Sequence, residues 1–145
     1  MKNVLFICTG NTCRSPMAEG IFRELLREKG ILDVECSSCG LYAGLHSPAT
    51  GRAVRAAKAY GADISGHKSC PVSKYLLDRS DLIVCLTDSH KYYLTDRYCV
   101  PEEKLRALDI ADPYEGDDEE YAQCASEIHD ALQKLLSDKF FLTEQ

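Results

Sequence analysis

Two short stretches, Asn-Val-Leu-Phe-Ile-Cys at 3–8 and Asp-Leu-Ile-Val-Cys-Leu at 81–86, are apolar almost without interruption. A strand with one wet face would alternate polar and apolar residues, so unbroken runs of this length suit parallel strands buried on both faces. Between and after them the apolar residues follow helical spacing. Ile21, Phe22, Leu25 and Leu26 share a face and run into Lys29-Gly30, a cationic last turn with a glycine stop. Ser47-Pro48 opens a second predicted helix through about Tyr60, closed by Gly61. Residues 34–39 and 104–108 read as further strands and 88–98 as a helix. Tyr121, Cys124, Ala125, Ile128, Leu132 and Leu135 form the apolar face of a last helix. The acids Glu115, Asp117, Asp118, Glu119 and Glu120 just before that face favour the positive end of its helix. Strands alternating with helices predict one doubly wound α/β domain over residues 1–145, a parallel sheet with helices on both faces.

A chain of 145 residues is long enough for one such core. Its net charge of −6 argues against nucleic acid or an anionic membrane as partner. No apolar run approaches the ~18 residues of a spanning helix. The N-terminal run is also too short for an export signal, so a cytoplasmic protein is expected. Eight cysteines in that setting do not read as a disulfide framework. Cys36 and Cys39 form a lone C-x-x-C with no second pair, and strand alternation points them to opposite faces, so no metal site is expected. Cys36, Cys39, Cys70, Cys85, Cys99 and Cys124 read as small hydrophobes or surface bystanders.

Cys8 and Cys13 differ, because they bracket the loop between the first strand and the first helix, in VLFICTGNTCRSPMAEGIF at 4–22. In open α/β sheets ligands bind beyond the carboxyl ends of strands, where strand order reverses. Successive backbone N–H groups of residues 8–14, Thr9 included, can turn inward there and cradle an anion at the helix N-terminus. Gly10 is expected to supply the backbone freedom that the loop needs. Arg14 adds a planar fork able to grip two oxygens of a phosphate. The same positive potential favours a thiolate at Cys8, which makes it an activated nucleophile toward phosphorus, with the neighbouring Ser15 hydroxyl as a donor to the sulfur. No Gly-Lys-Ser/Thr ends the loop, so it is not a nucleotide-binding P-loop.

This stretch resembles the signature of the low molecular weight protein tyrosine phosphatases, and Asp-Pro-Tyr at 112–114 resembles their late acid motif. GLYAG at 40–44, DISGH at 63–67, LIVCL at 82–86 and the final helix fall in the family's order. The resemblance implies a four-stranded parallel sheet and a metal-free, cofactor-free, two-step reaction on phosphorylated protein substrates. In it Cys8 attacks, Arg14 and the loop amides hold the phosphoryl group, and Ser15 stabilises the sulfur. Asp112 first protonates the leaving oxygen and then takes a proton from water. It implies further that Asn11, Ser38 and His67 brace the loop from behind, that Cys13 can pair reversibly with Cys8, and that Tyr42 and Tyr114 wall the substrate cleft. Monomers or weakly self-associating chains are expected.

Two positions depart from the common pattern: Glu115 replaces a second aromatic, and Thr87 stands where many animal members carry an Asp supporting the arginine. Thr12 bears on specificity. Tyrosine-specific members carry Ile there and the protein-arginine phosphatase branch carries Thr, yet Thr also occurs in bacterial relatives named as tyrosine phosphatases. Phosphotyrosine is the expected substrate, with phosphoarginine the alternative. Arsenate reductases share the loop but need two further redox cysteines on a mobile segment, and Cys85 lies within a predicted strand. A binding module without turnover would need neither nucleophile nor acid.

Overall fold

The central strand, β1 (Lys2–Cys8), shows why the apolar run is unbroken. Val4, Phe6 and Cys8 enter one hydrophobic cluster, while Leu5 and Ile7 enter another on the opposite face. The next apolar run, β3 (Leu82–Cys85), divides the same way, Leu82 and Val84 to the first cluster and Ile83 and Cys85 to the second. The computed structural model describes residues 1–142. In chain order its other elements are α1 (Arg14–Glu28), β2 (Val34–Gly40), α2 (Gly51–Lys58), α3 (Lys74–Arg79), α4 (Asp88–Tyr98), β4 (Leu105–Ala107), α5 (Asp118–Leu135) and α6 (Lys139–Leu142). The four strands are parallel in the order β2-β1-β3-β4. Apolar residues of α1, α2 and α5 cover one face, and those of α3 and α4 the other. Cys36 packs toward the first face and Cys39 toward the second, as the alternation requires.

The chain leaves β1 toward one edge and returns from β2 across to β3, so strand order reverses beside the carboxyl end of β1. Cys8 is the last residue of that strand. The loop Thr9–Cys13 and the turn into α4 both open onto this crevice.

The second helix starts later than the Ser47-Pro48 reading. Thr50 is its cap, with the side chain accepting the Ala53 N–H. Ser47 is engaged elsewhere: its N–H donates to Ser69 Oγ and its carbonyl accepts the Ser69 N–H. Either residue can cap a helix, and tertiary partners decided which did. The last long helix begins with a capping box between Asp117 and Glu120, so the acids at 117–120 do occupy its positive end. Among the described residues no helix is long and apolar enough to cross a membrane. Nor does any group of three or more His, Cys, Asp or Glu side chains there lie close enough to hold a metal ion.

Candidate active site

α1 differs from the helices after it at its N-terminus. Its cap residue, Cys13, makes no side-chain capping bond, and its first turn holds no acid. The N-termini of α2, α3, α4 and α5 are each capped by a side chain, from Thr50, Ser73, Thr87 and Asp117. Orphaned N–H groups and the positive end of a helix dipole therefore meet beside Cys8 with no capping side chain to satisfy them. The Cys8 sulfur accepts the Asn11 N–H at 3.3 Å and lies 2.8 Å from Ser15 Oγ. Both it and Ser15 are buried.

Asn11 is the hub of the loop and is fully buried. Its Nδ2 donates to Ser15 Oγ at 2.8 Å and to Ser38 Oγ at 3.0 Å, and its Oδ1 accepts the Cys70 N–H at 2.9 Å. His67 Nε2 donates to its carbonyl at 2.7 Å. Ser38 in turn donates to Glu19 Oε1, which ties the hub to the flank of α1. Asn11, Ser38 and His67, three residues the sequence reading placed behind the loop, thus meet at one point. The expectation for Gly10 does not hold. The left-handed residue is Asn11, at φ 58°, whereas Gly10 lies outside that region and a Cβ there would meet nothing closer than 3.7 Å. Asn tolerates that conformation, and its side chain fixes it in place. The glycine that the loop does require is Gly40, at the end of β2. A Cβ there would stand 2.6 Å from the Thr9 carbonyl oxygen and 3.0 Å from the Asn11 nitrogen.

Arg14 opens α1 and is 4% exposed. Its Nη1 donates to the Ile110 carbonyl at 2.9 Å, and its Nη2 lies 3.5 Å from Asp112 Oδ2. Its Nε is buried with no hydrogen-bond partner among the described residues. Asp112 also accepts the Tyr114 N–H at 3.0 Å and the Cys13 thiol at 3.6 Å. Pro113 and Gly116 close this segment into a turn, with Glu115 left-handed within it. Burial, with the nearby Cys8 and Asp112, pushes the Cys13 thiol up to about 12, so it is a neutral donor to the carboxylate. Burial likewise pushes Cys36, Cys85 and Cys124 up to about 12, which keeps them protonated at neutral pH.

The rim carries the remaining expected residues. Thr12 is half-buried, and its carbonyl accepts the Thr50 N–H. Tyr42 is exposed, with its N–H on the Thr9 carbonyl and its ring edge against Tyr93 at 5.7 Å. Tyr114 is exposed on the opposite segment. Three participants escaped sequence reasoning. Ile110 contributes only a carbonyl, which no residue type signals. Glu19 reads as an ordinary charge on a helix face. His90 is 4% exposed in the first turn of α4, with Nε2 3.0 Å from Thr9 Oγ1. Its place just after a strand's carboxyl end was the available signal. Thr87 caps α4 rather than serving Arg14.

The family model described as low molecular weight phosphotyrosine protein phosphatase matches residues 3–143. The chain is 32% identical over 142 residues to a protein-arginine-phosphatase of Bacillus subtilis, covering 92% of this chain and 93% of that one. It is 34% identical over 148 residues to low molecular weight protein-tyrosine phosphatase A of Mycobacterium tuberculosis, covering 92% and 88%. The crystal structure of the low molecular weight protein tyrosine phosphatase from T. tengcongensis superposes with a TM-score of 0.89 at 37% identity, covering 94% of this chain and 99% of that one. A thiol and a buried arginine at an uncapped helix end, set in a four-stranded parallel sheet, agree with these matches, and the chain belongs to the low molecular weight phosphotyrosine protein phosphatase family.

Proposed function

We propose that this phosphatase hydrolyses phosphotyrosine in proteins through a phosphocysteine intermediate, without a metal or other cofactor. Cys8 Sγ attacks phosphorus and the P–O bond to the leaving group breaks. The departing oxygen takes its proton from Asp112. Water then attacks the phosphocysteine, Asp112 accepts the water's proton, and the S–P bond breaks with the Ser15 hydroxyl donating to the leaving sulfur. The amides of Thr9, Gly10, Asn11, Thr12 and Cys13, with Arg14, hold the phosphoryl oxygens. Asn11, Ser38 and His67 keep the loop wound, while Thr12, Tyr42 and Tyr114 meet the substrate side chain.

The observation that carries this reading is the pair of unmet needs beside Cys8: the uncapped, acid-free N-terminus of α1 and the buried Arg14 Nε without a partner. A tetrahedral dianion meets both at once. The test is hydrolysis of p-nitrophenyl phosphate in the presence of a chelator, by wild type and by Cys8→Ser. Metal-independent turnover lost in the variant supports the reading. Turnover that needs a divalent ion, or that survives the substitution, refutes it.

A second reading, phosphoarginine, is favoured by Thr12 and by the relatives named protein-arginine-phosphatases. A small polar side chain at the rim leaves room for a guanidinium and bonds to it, where Ile would pack on an aromatic ring. Comparing kcat/KM on phosphotyrosyl and phosphoarginyl peptides, before and after Thr12→Ile, separates the two. The proposal extends to a single-domain protein that acts as a monomer or weak self-associate in the cytoplasm. It needs neither nucleic acid nor membrane as partner. A peroxide oxidises the Cys8 thiolate to a sulfenic acid, the Cys13 thiol condenses with it to a disulfide with loss of water, and a thiol reductant restores both, which guards the nucleophile against irreversible oxidation.

A further inference from the structure

Two buried side-chain nitrogens among the described residues have no hydrogen-bond partner, Arg14 Nε and His90 Nδ1. The first is accounted for by a bound phosphoryl group. The second belongs to a ring whose other nitrogen, Nε2, lies 3.0 Å from Thr9 Oγ1, on the residue that follows Cys8. Burial and the Arg14 guanidinium hold this imidazole down to about 4, against the opposite pull of Asp112. The ring is therefore neutral at working pH and carries one N–H.

That hydrogen has two possible seats. On Nδ1 it would be a buried donor with no acceptor, and Nε2 would accept the Thr9 hydroxyl. On Nε2 it donates to Thr9 Oγ1, and only a lone pair is left unmatched. Orphaned buried N–H groups are rarer in proteins than under-satisfied acceptors, so the second arrangement prevails. The Thr9 oxygen then accepts from His90, which leaves its own hydrogen free to point elsewhere. Thr9 is exposed at the loop's opening, and its backbone is pinned by the Tyr42 N–H on its carbonyl at 2.9 Å.

We propose that His90 is a positioning residue for substrate recognition: it turns the Thr9 hydroxyl hydrogen into the mouth of the site, as a donor to a carbonyl oxygen of the phosphorylated peptide. This rests on the phosphatase reading above, in which the loop amides and Arg14 already serve the phosphoryl oxygens. It adds a polar contact beside the aromatic Tyr42 and selects for a peptide rather than an isolated phosphorylated side chain.

The experiment is a double-mutant cycle on a phosphotyrosyl peptide with Thr9→Val, His90→Ala and the pair, alongside His90→Gln, whose amide can keep a donor near the Nε2 position. One hydrogen bond lost predicts about a fivefold rise in KM for each single variant, with kcat of His90→Ala within about twofold of wild type. Because both changes remove the same contact, the double variant also rises about fivefold, and His90→Gln recovers most of the loss. Losses that multiply to about 25-fold, losses confined to kcat, or no rescue by Gln would each overturn the proposal. If His90→Ala does not fold, Thr9→Val and His90→Gln still decide it through the same KM readout. Wild type that fails to turn over the peptide and p-nitrophenyl phosphate alike refutes the underlying phosphatase reading. Active wild type with multiplicative losses refutes this assignment alone.

Discussion

Asn11→Ala strikes the point where the loop is held in shape, and its cost can be worked from the contacts. Three buried side-chain hydrogen bonds disappear: those to Ser15 and Ser38, and the one from the Cys70 N–H. At roughly 1 kcal/mol each they amount to about 3 kcal/mol. Residue 11 sits at φ 58°, where Ala is disfavoured by about 1 kcal/mol. The expected loss is therefore about 4 kcal/mol, large against a total of roughly 5–15 kcal/mol but not beyond it. Urea unfolding at neutral pH measures it directly. The Asn11 N–H also bonds to the Cys8 sulfur, so kcat/KM on p-nitrophenyl phosphate should fall at least about tenfold in variant that is still folded. Asn11→Asp separates the two effects. It keeps an acceptor for Cys70 and tolerates the backbone, so it should cost less stability, yet its carboxylate beside the sulfur and phosphate should cost at least as much activity. A loss of less than about 1 kcal/mol in Asn11→Ala, or full activity in a variant destabilised as expected, would refute the role of Asn11 as the hub of the loop.

Other outcomes follow from single contacts. Gly40→Ala should lower stability by about 1–3 kcal/mol and depress kcat/KM, since its Cβ meets the Thr9 carbonyl at 2.6 Å; retained activity would show that the loop gives way freely. Arg106 grips Asp138 with two hydrogen bonds and holds that carboxyl down to about 2, clipping β4 to the segment after α5. The folded value lies below the ordinary 3.8, so this stabilisation is present above pH 3.8 and is lost as pH falls through about 2. Asp138→Asn should cost about 2 kcal/mol at pH 7 in urea unfolding. His90, held near 4 from an ordinary 6.5, binds its proton more readily in the unfolded chain. Its contribution is therefore complete above pH 6.5 and is lost as pH falls toward 4, under the field of Arg14 and Asp112. Between those pH values wild type should lose on the order of 2 kcal/mol more stability than His90→Gln; equal losses would contradict the neutral, buried ring.

The sheet was legible because its two central strands are buried on both faces, which leaves a continuous apolar run that few other structures explain. The opening loop was legible for a different reason: a thiol, a serine and an arginine at fixed spacing after a strand form a local constellation. What sequence pattern missed depends on distant partners. Thr50 rather than Ser47 caps α2, because Ser69 holds Ser47. The six-residue α3 is too short to show a helical stripe. Asn11 rather than Gly10 carries the left-handed turn, since three long-range bonds stabilise a conformation that propensity alone would give to glycine. Ile110 supports Arg14 through its backbone, and His90 reaches Thr9 across 81 residues. Neither contact leaves a mark in composition or periodicity.

The covalent intermediate tests the account most directly. Wild type mixed with a phosphotyrosyl peptide, quenched within a turnover and mapped by mass spectrometry, should carry a phosphoryl group on the Cys8 sulfur, with Asp112→Ala slowing both its formation and its release. Steady turnover with no adduct at Cys8, or an adduct on another side chain, would contradict the mechanism at its first step.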